Sequence, residues 1–182
     1  DHAIVDAIGT IIYTPSATII HPGDWMIEHG PIGRKKISYN QLAKLPRPTV
    51  LMLESIGATN NQEPVTEKGM LDNLKKLIRE SKGKTIIATF SSQVERIKQI
   101  IEFASELDKK VALDGFSMKI SVEIAKNLGY LKVRKGTIIP MDQISAYPDK
   151  RMVILCTGAQ GEENAALPRI VNFDHRFIKI KK

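Results

Sequence analysis

The 182-residue sequence has one cysteine and no long apolar run, and these two scarcities exclude several classes of protein. A lone Cys156 cannot form an intramolecular disulfide or a cysteine-rich zinc finger, and its place in the apolar run RMVILCTG favours a buried core residue over a nucleophile. No stretch reaches the ~18 to 20 apolar residues of a membrane span, and the segment DHAIVDAIG has no basic region of a secretory signal. We therefore expect a soluble, cytoplasmic chain without a membrane partner.

The two ends of the sequence both carry strand-like patterns. The chain starts without methionine, inside such a pattern, and it ends on the alternating run FIKIKK. We therefore expect it to be part of a longer protein.

Basic residues outnumber acidic ones. There are 27 Lys and Arg against 20 Asp and Glu, which gives a net charge of +7. A positive field of this size favours phosphate-bearing partners, although a solubilising surface explains it equally well.

The chain up to about residue 58 has a β-rich pattern. The turn PSA separates the runs IGTIIYT and ATIIHPGD, and this arrangement predicts a hairpin. Further along, SYNQLAKLP predicts a short helix ended by proline, and TVLMLES predicts a buried strand.

From Thr66 onwards, helical and strand patterns alternate. The helical segments are TEKGMLDNLKKLIRESKG, SSQVERIKQIIEFASELD and SMKISVEIAKNLGY, followed by a short helix at GEENAALPRI. The strand segments are KTIIATF, KKVALDG and RMVILCTG. This alternation implies right-handed βαβ crossovers, so the predicted fold class is α/β, a doubly wound and mostly parallel sheet covered on both faces.

Small polar loops follow three of the predicted strands: TFSSQ, DGFSM and TGAQGEE. In parallel sheets ligands bind beyond the carboxyl ends of the strands, and each loop leads into a helix whose free N–H groups suit a phosphate. None of the loops is a Walker loop or a GxGxxG fingerprint, and helix capping by Ser91 or Ser92 and by Ser117 explains each serine taken singly. Together the loops predict an anion-binding crevice, with six candidate residues: Ser91, Ser92, Ser117, Gly158, Gln160 and Gly161.

The segment HPGDW, residues 21–25, raises the question of a metal ligand at the end of a strand. A carboxylate can bridge two cations, whereas a neutral imidazole donates one lone pair to one ion. From the residues alone, the favoured interpretations are a turn residue for Asp24 and a frayed terminal residue for His2.

The order of four segments resembles that of ribonuclease J and its relatives. These segments are DHAIVDAIGTIIYTPSATIIHPGDW, KTIIATFSSQVERIKQII, KKVALDGFSMKISVEIAKNLGYL and MVILCTGAQGEENAALPRI. The family combines a metallo-β-lactamase fold, which cleaves RNA with two zinc ions, and a β-CASP domain that clamps the nucleic acid. The resemblance implies a partial metallo-β-lactamase domain at 1–58, a β-CASP domain at 59–176 and the start of a return strand at 177–182.

The resemblance also implies roles for three residues. His2 matches a metal-binding histidine, and Asp24 matches the aspartate that bridges the two zinc ions, which leaves His21 without a metal role. Glu54, in LMLES, falls where the family carries the acidic residue that opens its β-CASP motifs, and it is the implied catalytic residue. The implied partner is single-stranded RNA.

The sequence departs from the family pattern at several points. The His-x-His-x-Asp-His run, which supplies most metal ligands in the family, is absent, and we expect it upstream of Asp1. The Ser-Gly-His loop is also absent, and we expect it downstream of Lys182. His29 and His175 match no motif, and we expect both on the surface or in loops. Phe116 stands where the family often has arginine, which removes a phosphate contact.

The implied function is therefore RNA hydrolysis by a longer parent protein, with this chain mainly an RNA clamp that is inactive alone. Endonucleolytic and 5′ exonucleolytic action both stay open, as does a homo-oligomer formed through the parent chain. The alternative is a non-enzymatic doubly wound module that binds a nucleotide or a phosphorylated ligand, which the basic charge and the serine loops suit equally well.

Overall fold

The structure, a computed structural model, describes residues 4, 7–25, 39–61 and 65–180. The chain divides into two compact units, Asp1–Met70 and Leu71–Lys182. None of the helices in the described ranges combines the length and the apolar character needed to cross a membrane.

The first unit contains a three-stranded sheet in the order β1–β2–β3. Strands β1 (Thr10–Tyr13) and β2 (Thr18–His21) pair antiparallel, which confirms the predicted hairpin. The turn is stabilised by Thr14, whose Oγ1 accepts the Ala17 N–H at 2.9 Å and donates to the Ala17 carbonyl at 2.8 Å. The segment predicted as a short helix forms a 3-10 helix at Tyr39–Lys44.

Strand β3 (Thr49–Leu51) pairs parallel to β2 at the other edge of this sheet. All three of its residues are exposed, so the prediction of a buried strand is wrong. The apolar run has no covering layer among the described residues, and burial needs a second layer as well as an apolar pattern.

The second unit is built on a four-stranded sheet in the order β4–β7–β5–β6. Every neighbouring pair in it is parallel, which confirms an α/β fold with a parallel sheet. Its strands are β4 (Thr85–Ala88), β5 (Lys110–Asp114), β6 (Ile138–Ile139) and β7 (Met152–Cys156). The helices are α1 (Glu67–Glu80), which begins in the first unit, α2 (Val94–Glu106), α3 (Phe116–Asn127) and α4 (Ala166–Val171).

Both faces of this sheet are buried, because its strands alternate their side chains between two cores. Val111 and Leu113 of β5 pack with side chains of α1, α2 and α3 on one face. Ala112, between them, packs on the opposite face with α4 and with the 3-10 helix Met141–Ala146. The three longer helices thus share one face, and the second face is covered by short helices and by Ile178.

Two details of this unit differ from the sequence prediction. Strand β6 has only two residues, too short to show an alternating pattern, and the sequence does not predict it. Neither α2 nor α3 has a side-chain cap: the N-cap of α2 is Gln93, and that of α3 is Gly115. The predicted capping by Ser91, Ser92 and Ser117 is therefore wrong.

Candidate nucleic-acid interface

The three small polar loops begin at the same level on one edge of the second sheet. Cys156, the last residue of β7, is in register with Ala88 at the end of β4 and with Asp114 at the end of β5. Because the strands are parallel, residues 89–93, 115–117 and 157–161 all leave the sheet at its carboxyl edge. This arrangement confirms that the loops share one edge.

The first loop is tied to α2 through a buried hydroxyl. Thr89 Oγ1 donates to Gln93 Oε1 at 2.9 Å, and Gln93 Oε1 also accepts a hydrogen bond from Arg96. The Nε of Arg96 is buried and has no hydrogen-bond partner within the described ranges. Ser91 is partly buried and Ser92 is exposed, so with no capping role these two hydroxyls remain on the loop surface.

The second loop depends on a glycine. Gly115 has φ +96°, and a Cβ added there would lie 2.4 Å from Thr157 Oγ1 in the neighbouring loop. Only glycine fits this close approach between the two loops. Helix α3 then starts at Phe116, which places the exposed Ser117 inside its first turn.

The third loop closes against α4. Thr157 O accepts the Leu167 N–H at 3.0 Å, and Gly158 is buried with φ +108°, where a Cβ would lie 2.8 Å from Pro168 Cδ. Gly158 therefore packs the loop on the helix. Gln160 and Gly161 are exposed, but the Gln160 N–H already donates to the Glu162 carboxylate at 3.1 Å, which an incoming anion has to displace.

A buried histidine and carboxylate pair lies at the same edge, and the sequence does not predict it. His175 Nδ1 accepts N–H groups from Phe177 and Ile178 at 3.2 and 2.9 Å. Its Nε2 therefore carries the hydrogen and donates to Asp114 Oδ2 at 2.9 Å. Arg169, about half exposed, lies 3.6 Å from the same oxygen. His175 lies in a loop after α4, which is one of the two expected places, but it is not on the surface, because its side chain is 5% exposed.

Asp114 is the one sequence feature that indicates this pair. It is an acidic residue that follows the three apolar residues of β5, and buried carboxylates require partners. Its charge also acts on the neighbouring strand: burial first, and Asp114 second, raise the pKa of the Cys156 thiol from 9.0 to about 12. Cys156 is fully buried, as predicted, and such a thiol is not a nucleophile at neutral pH.

The first unit brings together two of the three residues with implied roles in metal-dependent chemistry. Asp24 follows β2 and Glu54 follows β3, and since these strands are parallel, both residues leave the same edge. The Trp25 N–H, next to Asp24, donates to Glu54 Oε1 at 3.5 Å. His21 Nδ1 accepts the Gly23 N–H at 3.2 Å, so one of its ring nitrogens is engaged in the turn. His2 and His29 lie outside the described residues.

These donors do not amount to a metal centre by themselves. Asp24 and Glu54 are both exposed, and their carboxylates suit a divalent cation. However, no three His, Cys, Asp or Glu side chains group together in the described part of the chain. A catalytic zinc normally takes about three protein ligands, so the described residues do not fit a complete zinc site.

Comparisons with a family model and with curated proteins give consistent matches for this chain. Residues 82–182, more than half of the chain, match the family model of the ribonuclease J beta-CASP domain. The ribonuclease J of Helicobacter pylori J99 is 33% identical over 182 residues, which cover 99% of this chain and 26% of that protein. The ribonuclease J of Mycoplasma genitalium is 33% identical over 183 residues, with 100% and 32% covered.

A third relative, the ribonuclease J of Corynebacterium glutamicum, is 34% identical over 183 residues, which cover 100% of this chain and 26% of that protein. The chain thus spans between about a quarter and a third of the length of these curated relatives, whose coverage runs from 26% to 32%. The parallel sheet, its three loops and the matched residues lead to one conclusion: the chain belongs to the ribonuclease J family, and residues 82–182 are its β-CASP domain.

Proposed function

We propose that this chain is the RNA-clamping part of a ribonuclease that hydrolyses RNA phosphodiesters in the cytoplasm. The observation that carries the proposal is the common carboxyl edge at which residues 89–93, 115–117 and 157–161 begin in register. A polynucleotide places phosphates at regular intervals, so several donor loops at one level can contact one strand together. The net charge of +7 favours such a polyanion.

The exposed side chains on this edge divide into contact residues and supporting residues. Ser92, Ser117 and Gln160 are exposed and can donate to phosphate or sugar oxygens, and Ser91 and Gly161 lie beside them. Gly158 supports the third loop through its packing on α4. Two arginines add positive charge near these loops, where Phe116 stands in place of the family's arginine. Arg169 lies at the edge beside Asp114, and Arg96 donates a hydrogen bond to Gln93.

The proposed chemistry belongs to the other unit and depends on metal. In this proposal residues 1–58 are part of a metallo-β-lactamase domain, in which His2 and Asp24 each bind zinc and Glu54 is the adjacent acidic group. A zinc pair held there, with further ligands, would supply water activation and charge neutralisation at the phosphodiester. The Glu54 carboxylate accepts the Trp25 N–H and so holds the turn that carries Asp24.

The binding proposal is tested by fluorescence anisotropy with a labelled single-stranded RNA. We expect weak binding whose affinity falls steeply as salt rises from 50 to 200 mM, because phosphate neutralisation releases counterions. The triple variant Ser92→Ala, Ser117→Ala, Gln160→Ala should bind at least about fivefold more weakly, which corresponds to about 1 kcal/mol of lost hydrogen bonds. Ser81→Ala is the matched control, because Ser81 precedes β4 and lies at the opposite edge of the sheet.

Two outcomes contradict this proposal. An affinity that does not change with salt would mean that phosphate contacts do not contribute to binding. An equal loss of affinity in the control variant would mean that the RNA does not bind at the assigned edge. Competition by a mononucleotide as strong as that by the oligonucleotide favours the alternative, a module that binds a nucleotide or a phosphorylated ligand.

The catalytic proposal is tested separately. We expect no cleavage when the 182-residue chain is incubated with labelled RNA and excess zinc or manganese, because His2 and Asp24 are too few ligands for a two-metal site. Asp24→Ala serves as the contamination control. Metal-dependent cleavage that disappears in this variant would show that the chain holds the missing ligands itself.

A further inference from the structure

The segments that lead into the four strands of the parallel sheet are rich in basic residues. These segments are residues 81–84, 107–110, 128–137 and 147–151, each ending at or just before the first residue of a strand. Because the strands are parallel and start within one residue of the same level, the four segments lie together at the amino edge of the sheet. We call their nine basic residues the amino-edge row: Lys82, Lys84, Lys109, Lys110, Lys132, Arg134, Lys135, Lys150 and Arg151.

The amino-edge row accounts for the positive charge of the whole chain. The four segments contain only two acidic residues, Asp108 and Asp149, so their net charge is +7, the same as that of all 182 residues. The rest of the chain is therefore neutral on balance, and residues 89–93, 115–117 and 157–161 at the carboxyl edge contain no charged residue. The excess charge that attracts a polyanion thus lies at the edge of the sheet opposite the candidate interface.

Two members of the amino-edge row neutralise both of these acidic residues. Lys84 Nζ lies 2.7 Å from Asp149 Oδ1, and a guanidinium nitrogen of Arg151 lies 2.6 Å from Asp108 Oδ2. The same arginine also donates to the Asp108 carbonyl at 2.9 and 3.1 Å. No acidic side chain of the four segments is left to neutralise the other seven basic residues.

Two further lysines of the row fix the backbone of these segments. Lys109 Nζ donates to the Lys150 carbonyl at 2.6 Å, which ties the second segment to the fourth. Lys110 Nζ donates to the Gly136 carbonyl at 2.7 Å, which ties the second segment to the third, and it also lies over the Tyr147 ring. The backbone that carries the other basic side chains is therefore held in place before any ligand binds, which lowers the entropic cost of binding.

Five members of the row remain available for a partner: Lys82, Lys132, Arg134, Lys135 and Lys150. All five are exposed, and none forms an ion pair with any described residue. In strand order, Lys82 lies beside β4, Lys150 lies beside β7, and the other three precede β6 at the far end of the sheet. Neighbouring strands are about 4.8 Å apart, so the available cations extend over about 14 Å. Separate cations in a line suit a linear polyanion better than one small anion.

We propose that the amino-edge row is a second RNA-binding surface, which holds RNA by its phosphates at the edge opposite the candidate interface. The inference rests on the proposed function, because RNA is the polyanion that such a chain meets. Tyr130, two positions before Lys132, is 53% exposed, and an exposed ring among cations offers a base a stacking surface. This combination favours single-stranded RNA over an anionic membrane or an acidic protein. Phosphate contacts carry no sequence information, so we expect binding at this surface to be independent of RNA sequence.

The test is the salt dependence of RNA binding, measured by fluorescence anisotropy with a labelled single-stranded RNA from about 50 to 200 mM salt. Two double variants of the 182-residue chain each remove two lysines of the row: Lys132→Gln with Lys135→Gln, and Lys82→Gln with Lys150→Gln. Each should weaken binding at least about tenfold at the lowest salt concentration, because phosphate contacts are lost. Each should also make the slope of log affinity against log salt less steep by about 1.4, since each phosphate contact of a single strand contributes about 0.7 to that slope.

The double variant Lys68→Gln with Lys76→Gln is the matched control. Both lysines are exposed on α1, outside the four segments, so the control removes the same charge without changing the amino-edge row. It should leave the slope unchanged and alter the affinity by less than about twofold, because salt screens exposed charges that do not contact the RNA. Far-UV circular dichroism should show that all of these variants remain folded.

The triple variant Ser92→Ala, Ser117→Ala, Gln160→Ala separates the two surfaces. It removes no charge, so it should weaken binding without changing the slope. If the lysine variants keep the parent slope while the triple variant weakens binding, the amino-edge surface is overturned and the candidate interface stands. The reverse result supports the amino-edge surface and contradicts the candidate interface.

Two other results also overturn the amino-edge surface. The first is a parent chain that does not bind RNA at all. The second is a pair of lysine variants that lose binding to phosphatidylserine vesicles but bind RNA like the parent chain, which would assign the row to a membrane surface instead.

Discussion

The sheets of the two units contain similar apolar strands, yet they bury them to different extents. All five residues of β7 are buried, and four of the five in β5. In the first unit, β1 and β3 are exposed throughout, and only Thr18 and Ile20 of β2 are buried. The second unit covers both faces of its sheet with its own helices, whereas the described residues of the first unit provide no such layer. Whether a strand is buried therefore depends on the layer that covers it as much as on the strand's own sequence.

Truncating one isoleucine in each sheet tests this difference most directly. Ile154, in β7, is fully buried, whereas Ile12, in β1, is 47% exposed. Ile154→Ala should lower the free energy of unfolding by about 4 kcal/mol, because it removes buried contacts and leaves a cavity, and Ile12→Ala by less than about 1 kcal/mol. Urea unfolding can separate the units: helical circular dichroism follows the second, and fluorescence of Trp25, the one tryptophan, follows the first. Equal losses would contradict the comparison.

Two histidines offer the same test for polar groups. Both accept a backbone N–H at Nδ1, but His175 is buried and also donates to Asp114, whereas His21 is exposed. His175→Ala should cost about 3 kcal/mol, because Asp114 and two N–H groups lose their partner in a buried place. His21→Ala should cost less than about 1 kcal/mol, because water replaces its bond. A small effect at His175 would show that water enters the edge of the sheet.

Two glycines with positive φ sharpen the comparison for the backbone. Gly57 has φ +76° with no atom within 4 Å of an added Cβ, whereas the Cβ at Gly115 meets Thr157. Gly57→Ala should cost about 1 kcal/mol from the left-handed conformation alone. Gly115→Ala should cost about 2 kcal/mol more, since Thr157 is branched at Cβ and cannot move freely. Adding Thr157→Ala should recover part of this loss, and no recovery would mean that the strain lies in the backbone.

The buried thiol gives the smallest expected effect, which depends on pH. Burial, followed by the charge of Asp114, raises the pKa of Cys156 from 9.0 to about 12. The contribution of the neutral thiol to the free energy of unfolding is fully present below pH 9. It is lost as pH rises toward about 12, because the thiol of the unfolded chain releases its proton at lower pH than the buried thiol does. Relative to Cys156→Ala, the parent chain should lose about 1 kcal/mol of stability between pH 8 and pH 10.

The two chains should therefore be compared by urea unfolding at each pH, so that pH effects common to both chains cancel. Thiol reagents should modify Cys156 at pH 8 only after the second unit unfolds. A parallel pH dependence of the two chains, or rapid modification of the folded protein, would contradict the assigned environment of Cys156.

Much of the second unit was predictable from the sequence, because its elements follow from local periodicity. Apolar residues at helical spacing predict α1, α2 and α3, and short apolar runs between them predict β4, β5 and β7. Alternation of the two patterns implies parallel strands, and parallel strands place the loops after them at one edge. The shared edge of the candidate site thus follows from the sequence alone.

Other features were decided only by contacts between residues far apart in the chain. The position of β7 between β4 and β5 comes from long-range pairing, and β6 is defined only by its pairing with β5. Ser117 does not cap α3, because the N-cap is Gly115, two residues earlier, where the chain packs closely on Thr157.

His175 is the clearest example of a feature that only long-range contacts decide. Its sequence neighbours are polar or exposed, and it is buried because the chain returns to Asp114, which is 61 positions away. Local sequence sets backbone preference over a few residues, and from it the types of element, their order and the common edge of the loops follow. Strand order, burial and the partners of polar side chains depend on which distant surfaces meet, so only the tertiary structure decides them.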